Sequence, residues 1–478
     1  MAATVGDAVV IGVDSSTQAT KALAVDVGTG RILGEGRATH TVSTGAKRES
    51  SPEQWWDALV EALERTGHAA DAAAVSIGGQ QHGLVALDAE GRSVHPALLW
   101  NDVRSAPNAE ALVDRLGPKT WAQRVGSVPG ASFTAAKWDW LREHAPEAAG
   151  RARAVMLPHD YLTWRLTGEW VTDRGDASGT GWWGPEGYDG EILALIGLDE
   201  AYLPRVAEPG STAGQVREGR PLRAGTPVGT GTGDNMAAAL GLGLAPGEPV
   251  ISLGTSGTVY AVTRGRPTDP SGTVAGFADT LGNWLPLACT LNCTLAIDRV
   301  AALFGLDREA VEPGGEAVVL PYFDGERTPN LPYASGLFYG LRQDTTPGQI
   351  LRAAYEGAAA SLLAALDEVL AAGGEPARAE TPLLLIGGGA RGAAWLETVR
   401  RLTGRPVLVP RAQEAVALGA AAQAAALLTG EGADAVARRW ETRAGTLYDP
   451  LSADRGVLER IAAVRGRAEA LLAAEADR

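Results

Sequence analysis

Residues 230–239 place one acidic and one amide side chain where both could act on a hydroxyl group. They read Thr-Gly-Thr-Gly-Asp-Asn-Met-Ala-Ala-Ala, so Asp234 and Asn235 begin an Ala-rich helical run. Glycine lets backbone come close to a ligand, and a helix N-terminus favours nearby negative charge. Asp234 is therefore a candidate general base. Taken alone, it would more often be a helix cap, since aspartate is a preferred N-cap residue.

Three turns rich in Gly, Ser and Thr could bind phosphate groups. They occupy residues 14–17, 254–257 and 387–389, and each follows an apolar run. Backbone amides in such turns can cradle phosphate oxygens, and hydroxyl groups add donors. Asp14 fits a Mg²⁺ site bridged by water, because that ion keeps much of its hydration shell. Lys21 offers a cation nearby.

Two pairs of polar and aromatic residues follow apolar runs elsewhere. Gln81 and His82 lie at one strand–turn junction, and Trp100 and Asn101 lie at another strand end. Polyol recognition needs directional partners for hydroxyls and ring faces for C–H groups. Taken singly, such a histidine is more often structural and such a tryptophan more often part of a core.

The composition limits the class of protein. A chain of 478 residues is too long for one hydrophobic core and predicts two or three domains. Its net charge of −15 argues against non-specific binding to nucleic acid or to an anionic membrane. Cys289 and Cys293 are the two cysteines, too few for a zinc site or a disulfide framework. With no signal-peptide pattern and no long apolar span, we expect a cytoplasmic protein.

The elements that must position these residues form a repeated pattern. Apolar residues 8–13, a small polar turn and residues 22–27 predict a β-hairpin, and residues 250–253 and 258–263 predict a second one. Two hairpins of this kind indicate two related α/β domains facing each other across a cleft, although chance recurrence is an equal alternative. Helices are predicted from Pro52 to about 65 and over residues 349–370, 393–402 and 415–428, and a strand over 383–386.

From residue 11 to about 428, the chain resembles the FGGY family of carbohydrate kinases. The matching segments are residues 11–21, 79–83, 99–104, 157–162, 173–179, 231–235, 252–257, 320–329 and 385–391. Residues 132–141, Ser-Phe-Thr-Ala-Ala-Lys-Trp-Asp-Trp-Leu, and residues 336–356, which begin Gly-Leu-Phe-Tyr-Gly-Leu, resemble the family's own signatures.

The resemblance implies an α/β fold of two actin-like ATPase (ribonuclease H-like) domains with a deep interdomain cleft. Residues 1–245 would hold the sugar site, the first phosphate loop and the catalytic aspartate, and residues 246–478 the nucleotide site. The implied activity is ATP-dependent phosphorylation of a ketopentose. The Gln-His-Gly, Trp-Asn-Asp and Gly-Glu-Arg-Thr-Pro segments narrow that sugar to D-xylulose.

The resemblance also implies a role for each candidate residue. Asp234 would be the general base, and the sugar would contact Gln81, His82, Trp100, Asn101, Asp234 and Asn235. ATP with Mg²⁺ would contact Asp14, Thr17, Lys21, Gly254, Thr255, Gly388, Gly389 and Arg391, with the last three at the adenosine end and Asp14 at the metal.

Two positions depart from the family pattern. The first loop has Ser16 where a glycine is common, so it must tolerate that glycine's backbone geometry or adjust. Gln81 stands before His82 where methionine is frequent, and a polar side chain there could change which sugar hydroxyls are recognised.

Three other functions compete with a D-xylulose kinase. Residues 387–392 spell G-x-G-x-x-G between a strand and a helix, and Arg411 could meet a 2′-phosphate, as in a dinucleotide-dependent oxidoreductase. No acidic residue follows the next strand, which argues against that alternative. A non-catalytic ATP-binding sugar sensor would not need Asp234. Ribulose-type sugars and polyols stay open as substrates, and a symmetric homodimer is the general expectation.

Overall fold

The computed structural model describes residues 8–45, 47–331, 333–375, 378 and 380–473. The strands of the first half are β1 (Val9–Ser15), β2 (Ala19–Asp26), β3 (Ile32–Thr39), β4 (Glu49–Ser50), β5 (Ala72–Gly79), β6 (Val85–Leu87), β7 (Ala97–Leu98), β8 (Ala154–Met156), β9 (Val171–Thr172), β10 (Trp183–Gly184), β11 (Gly187–Tyr188), β12 (Arg205–Val206), β13 (Thr212–Gln215), β14 (Pro227–Gly229) and β15 (Thr232–Gly233). Its helices are α1 (Pro52–Arg65), α2 (Ala106–Leu116), α3 (Pro118–Val125), α4 (Thr134–His144), α5 (Pro146–Arg151), α6 (Pro158–Thr167), α7 (Arg174–Ala177), α8 (Gly190–Ile196) and α9 (Asp234–Gly241).

The second half follows the same α/β style. Its strands are β16 (Pro249–Leu253), β17 (Gly257–Ala261), β18 (Ala275–Ala278), β19 (Trp284–Thr290), β20 (Val318–Leu320), β21 (Leu337–Tyr339), β22 (Leu383–Ile386), β23 (Val407–Pro410) and β24 (Gly445–Tyr448). Its helices are α10 (Thr294–Leu303), α11 (Pro347–Ala372), α12 (Ala393–Thr403), α13 (Ala415–Thr429), α14 (Ala433–Arg439) and α15 (Arg455–Ala473), with a 3₁₀ turn over Gly388–Arg391.

Each half is built on one mixed sheet, and the two sheets share a topology. The first has the order β13-β14-β5-β1-β2-β3, and the second β18-β19-β17-β16-β22-β23-β24. In each, an antiparallel hairpin (β1–β2 or β16–β17) is followed by a parallel partner (β5 or β22). The repeated hairpin predicted from the sequence is thus confirmed as a repeated fold.

Local sequence explains where α1 begins and what it buries. Pro52 occupies the first helical turn after Ser51, as predicted, because proline lacks the amide that would go unbonded there. The apolar face then buries Trp55, Trp56 and Leu59 against the first sheet. Within the described residues, Cys293 is buried, Cys289 is half-buried, and neither forms a disulfide.

Two helices of the second half pack on the first sheet. Apolar residues of α13 and α14 form one core with β1, β2 and β5. The backbones approach closely: a Cβ on Gly12 would lie 2.0 Å from the carbonyl oxygen of Ala417, and one on Gly419 would lie 1.9 Å from that of Ala237. Larger residues at these two positions would push α13 away from β1 and from α9. The domain boundary at residues 245 and 246 stays a prediction.

No helix in the described parts of the chain is long and apolar enough to cross a membrane.

Candidate active site

Asp234 is the first residue of α9, and its carboxyl is not a helix cap. Gly233 occupies the N-cap position. Oδ1 of Asp234 accepts hydrogen bonds from the backbone amide of Asn235 at 2.8 Å and from its Nδ2 at 3.0 Å. Burial, and then the charges of Asp14 and Asp176, raise the pKa of Asp234 to about 7. A carboxyl group with this pKa is suited to proton transfer near neutrality.

Gln81 is linked to this carboxyl group through Asn235, and His82 follows Gln81 in the chain. Oε1 of Gln81 accepts a hydrogen bond of 2.8 Å from Nδ2 of Asn235. His82 is buried, has a φ of 65°, and its Nδ1 lies 2.7 Å from the carbonyl oxygen of Gly179. That carbonyl can only accept, so Nδ1 carries the proton. Burial, and then Lys137, lower the pKa of His82 to about 3, so its ring is neutral and Nε2 is an acceptor.

Trp100 contacts the first candidate phosphate-binding turn, residues 14–17, and Asn101 follows Trp100 in the chain. Nε1 of Trp100 donates to Oγ1 of Thr17 at 3.0 Å. The Trp100 side chain is 41% exposed, so its ring face can still meet a ligand. Oδ1 of Asn101 is buried and has no hydrogen-bond partner among the described residues. One residue assigned to the sugar therefore contacts one assigned to phosphate.

Asp14 and Lys21 lie side by side on β1 and β2, where they are register partners. Oδ1 of Asp14 is buried without a hydrogen-bond partner among the described residues. Burial raises the pKa of Asp14 to about 6, while Lys21 lowers it and Glu414 raises it. Nζ of Lys21 donates to Oε2 of Glu414 at 2.6 Å. The predicted phosphate-binding cation is therefore paired with a carboxylate that sequence reasoning missed.

One cavity of about 450 Å³ lies between the two halves of the chain. Among the candidates, the residues that line it are Lys21, Asp234, Asn235, Gly388 and Arg391. The remaining candidates do not line this cavity and are Asp14, Thr17, Gln81, His82, Trp100, Asn101, Gly254, Thr255 and Gly389.

The glycines of the candidate phosphate-binding turns differ in environment. A Cβ on Gly388 would meet no heavy atom within 4 Å, so its backbone is open to a ligand. A Cβ on Gly389 would lie 2.9 Å from Cβ of Leu253, so that glycine serves packing between β16 and the 3₁₀ turn. The carbonyl oxygen of Gly254 accepts hydrogen bonds from the amide and hydroxyl of Thr294, at 3.1 and 2.8 Å. This anchors the second hairpin tip, which also carries Thr255.

Sequence reasoning assigned no role to several residues around the site. Ser252, Tyr260 and Glu414 line the cavity. A buried group of four ionisable residues lies behind the Asp234 turn and consists of His159, Asp160, Asp173 and Asp176. The available signal was the pair of polar segments 157–162 and 173–179, which stand out between apolar stretches.

Two related α/β halves that enclose a buried carboxyl group and a glycine-lined cavity are the arrangement expected of a two-domain sugar kinase. The sequence profiles of the N-terminal and C-terminal domains of the FGGY family of carbohydrate kinases match residues 9–241 and 250–428. The chain belongs to this family.

Individual relatives match most of the length of this chain. The chain is 66% identical to a xylulose kinase of Streptomyces coelicolor over 473 aligned residues, and these residues make up 98% of each chain. It is 34% identical to a xylulose kinase of Escherichia coli, over 83% of this chain and 85% of that one. A solved xylulose kinase of Bifidobacterium adolescentis superposes with a TM-score of 0.84 and 35% identity, over 96% of this chain and 100% of that one.

Proposed function

We propose that this protein is an ATP-dependent kinase that phosphorylates D-xylulose to D-xylulose 5-phosphate. The observation that carries the reaction type is the Asp234 carboxyl, held at the wall of the interdomain cavity with its pKa raised to about 7. The similarity to xylulose kinases over nearly the whole chain supports the choice of sugar. An oxidoreductase assignment finds no support, because both halves match a kinase family.

The proposed mechanism uses the two carboxylate oxygens of Asp234 differently. Oδ1 is engaged by Asn235, which leaves Oδ2 to accept the proton of the attacking sugar hydroxyl. The oxygen of that sugar hydroxyl forms a bond to the γ-phosphorus of ATP, while the bond from the γ-phosphorus to the β,γ-bridging oxygen breaks and its electron pair leaves with ADP. The transition state is loose, so alignment and charge neutralisation supply most of the catalysis. Asp234 accepts the proton late in transfer.

The donor set at Asp14 fits the Mg²⁺ that such a reaction uses. Its Oδ1 is a buried carboxylate oxygen without a hydrogen-bond partner among the described residues, and Mg²⁺ prefers such oxygen ligands. When bound there, Mg²⁺ would neutralise phosphate charge. Lys21 would add a cation after exchanging Glu414 for a phosphate oxygen, and the open backbone of Gly388 would face the nucleotide.

The sugar side is proposed from the hydrogen-bonding groups of His82, Asn101 and Asn235. The neutral Nε2 of His82 can accept from a sugar hydroxyl, and Oδ1 of Asn101 lacks a partner among the described residues. Asn235 bonds to both Gln81 and Asp234. A sugar hydroxyl of different stereochemistry that displaced Gln81 would therefore also disturb the position of Asp234. Pockets discriminate a hydroxyl strongly only when they bond to it. Cytoplasmic location and a symmetric homodimer are proposed on composition and general expectation alone.

A substrate panel with a matched variant pair tests the proposal. Phosphorylation of D-xylulose, ribulose and simple polyols is measured with ATP and Mg²⁺ for wild type and Asp234→Asn. We expect D-xylulose to be preferred and kcat to fall on the order of 10²- to 10⁴-fold in the variant, because a general base is lost. Asp189→Asn, at the N-cap of α8, is the control and should retain activity. Preference for another sugar would contradict the D-xylulose assignment, and unchanged turnover by Asp234→Asn would contradict the base.

A further inference from the structure

Behind the Asp234 turn, one buried imidazole faces three buried carboxyl groups. Nε2 of His159 lies 3.2 Å from Oδ1 of Asp160, 3.2 Å from Oδ2 of Asp176 and 3.6 Å from Oδ1 of Asp173. All four side chains are at most 6% exposed. We call these four residues the His159 cluster.

The His159 cluster is costly to bury and is not arranged as a metal site. In the described ranges, no group of three or more His, Cys, Asp and Glu residues is arranged to hold a metal ion. Burial lowers the pKa of His159, but the charges of Asp160, Asp176 and Asp173 outweigh it and raise the pKa to about 9, which favours the charged imidazole. Buried ion clusters are often less stabilising than apolar residues of similar volume. A contribution to stability therefore does not by itself explain why the His159 cluster is present.

The cluster is bonded to the segment that delivers Asp234. Oδ2 of Asp173 accepts a hydrogen bond of 2.7 Å from Oγ1 of Thr232, two residues before Asp234. The same carboxyl accepts the amides of Gly175 and Asp176 at 2.8 and 3.0 Å, which fixes its own orientation. The Thr232 hydroxyl is therefore held by an acceptor that cannot easily move.

His159 also packs against that segment. Gly231 has a φ of 74°, and a Cβ there would lie 2.8 Å from Nδ1 of His159 and 2.5 Å from the carbonyl oxygen of Ile77. A Cβ on Gly79, in the strand that pairs with β15, would lie 3.0 Å from Cβ of His159. The turn thus sits directly on the imidazole, with no space for a side chain between them.

We propose that the His159 cluster is a positioning unit, which holds the turn that carries Asp234 through the hydrogen bond between Thr232 and Asp173. This inference rests on the proposed kinase function and assigns a part in it to residues that do not touch the substrates. A displacement of about 1 Å in a reacting group can lower the rate about 10²-fold, so a hydroxyl two residues away can control kcat. In support, the charge of Asp176 is one of the causes that raise the pKa of Asp234.

The test removes or restores a single hydroxyl. Thr232→Val keeps the side-chain shape and loses the bond to Asp173, whereas Thr232→Ser keeps the bond. Thr66→Val is the control, because Thr66 is similarly buried and its hydroxyl bonds only to backbone close in the chain. It donates to the carbonyl oxygen of Leu63 at 2.7 Å and accepts from the amide of His68 at 3.2 Å. Asp173→Asn weakens the same contact from its other partner, so the comparison stands even if one variant does not fold. Each is assayed for kcat and KM with D-xylulose and ATP.

We expect kcat of Thr232→Val to fall about 10²-fold, the loss expected from about 1 Å of misalignment, with KM for ATP unchanged. Thr232→Ser should recover most of the rate, and Thr66→Val should lose stability without losing kcat. If wild type is active but Thr232→Val and Asp173→Asn match Thr66→Val, the positioning role is wrong while the kinase function stands. A loss that Thr232→Ser does not rescue would also overturn it. A wild-type protein that phosphorylates no sugar would refute the kinase function, and this inference with it.

Discussion

Asp234 carries a carboxyl group whose chemistry is set by its neighbours rather than by its place on the helix. A carboxyl at the N-terminus of a helix normally becomes more acidic, since the helix dipole favours its charged form. Here burial and the charges of Asp14 and Asp176 act in the opposite direction and prevail. Lys21, which lines the same cavity, is paired with Glu414. The result is a carboxyl group that binds a proton near neutral pH, as the proposed general base must.

The activity should therefore depend on pH through Asp234. Its pKa is raised to about 7, so the proton-accepting form is absent at acidic pH and kcat/KM should rise as the pH passes through about 7. Asp176→Asn removes one of the charges that raise this pKa, so its kcat/KM profile should shift to lower pH. The measurement is kcat/KM for D-xylulose against pH for both proteins. An acid limb near the ordinary pKa of an aspartate, in both, would contradict this account.

Helix α13 connects the nucleotide side of the cavity to the turn before Asp234. Its N-terminus, with Glu414 and Ala415, lines the cavity. Further along, Nε2 of Gln423 donates to Oγ1 of Thr230 at 3.2 Å and to the carbonyl oxygen of Gly231 at 3.3 Å, and its Oε1 accepts from Oγ of Ser76 at 2.5 Å. One buried amide therefore connects a helix of the second half to the first sheet and to the turn before Asp234.

Replacing this amide should be costly although the volume is kept. Gln423→Met leaves the hydroxyl groups of Ser76 and Thr230 without these partners, and each buried unsatisfied group costs about 1–3 kcal/mol. We expect the free energy of unfolding, measured with urea, to fall by about that amount or more. Gln215→Met, at an exposed position of β13, is the control and should change little. Equal effects of the two substitutions would show that the amide contributes no net stability.

Local sequence predicted individual elements better than their tertiary contacts. The hairpins, α1 and the strand of residues 383–386 follow from apolar runs, Pro52 and turn residues, and all are confirmed. The helix predicted over residues 415–428 is also confirmed, but its packing on the first sheet could not be foreseen. An Ala-rich helix has no distinct apolar stripe, so its neighbours decide which sides are buried.

The site could be predicted only where chemistry and local pattern coincide. Asp234, Asn235 and Gly388 stand in turn-to-helix patterns, and all three line the cavity. The pairing of Lys21 with Glu414 joins residues 393 positions apart, and no local pattern indicates it. His159 and Asp160 are adjacent in the chain, but their contact with Asp173 and Asp176 joins two segments that only the folded chain brings together.

At the scale of the whole molecule, the two halves share apolar and polar contacts beside the site. Phe133 and Met236 of the first half form one core with Tyr260 and Phe277 of the second. The amide of Ala278 donates to Oγ of Ser178 at 2.8 Å, so β18 is attached to the segment after α7. His82 packs its ring on both Phe133 and Phe277, with centroids 5.0 and 5.5 Å apart. A residue assigned to the sugar therefore touches both halves of the chain.

This arrangement predicts that ATP is hydrolysed only weakly when no sugar is present. The γ-phosphate would lie near Asp234 in a cavity open to water, and a second substrate that draws the halves together would exclude that water and align the acceptor hydroxyl. We therefore expect ADP release without sugar to be a small fraction of the rate with saturating D-xylulose, measured by a coupled assay at equal ATP and Mg²⁺. Asp234→Asn distinguishes hydrolysis at this site, which should fall further, from a contaminating ATPase, which should not. Equal rates with and without sugar would mean that closure of the halves does not control access of water to the phosphate.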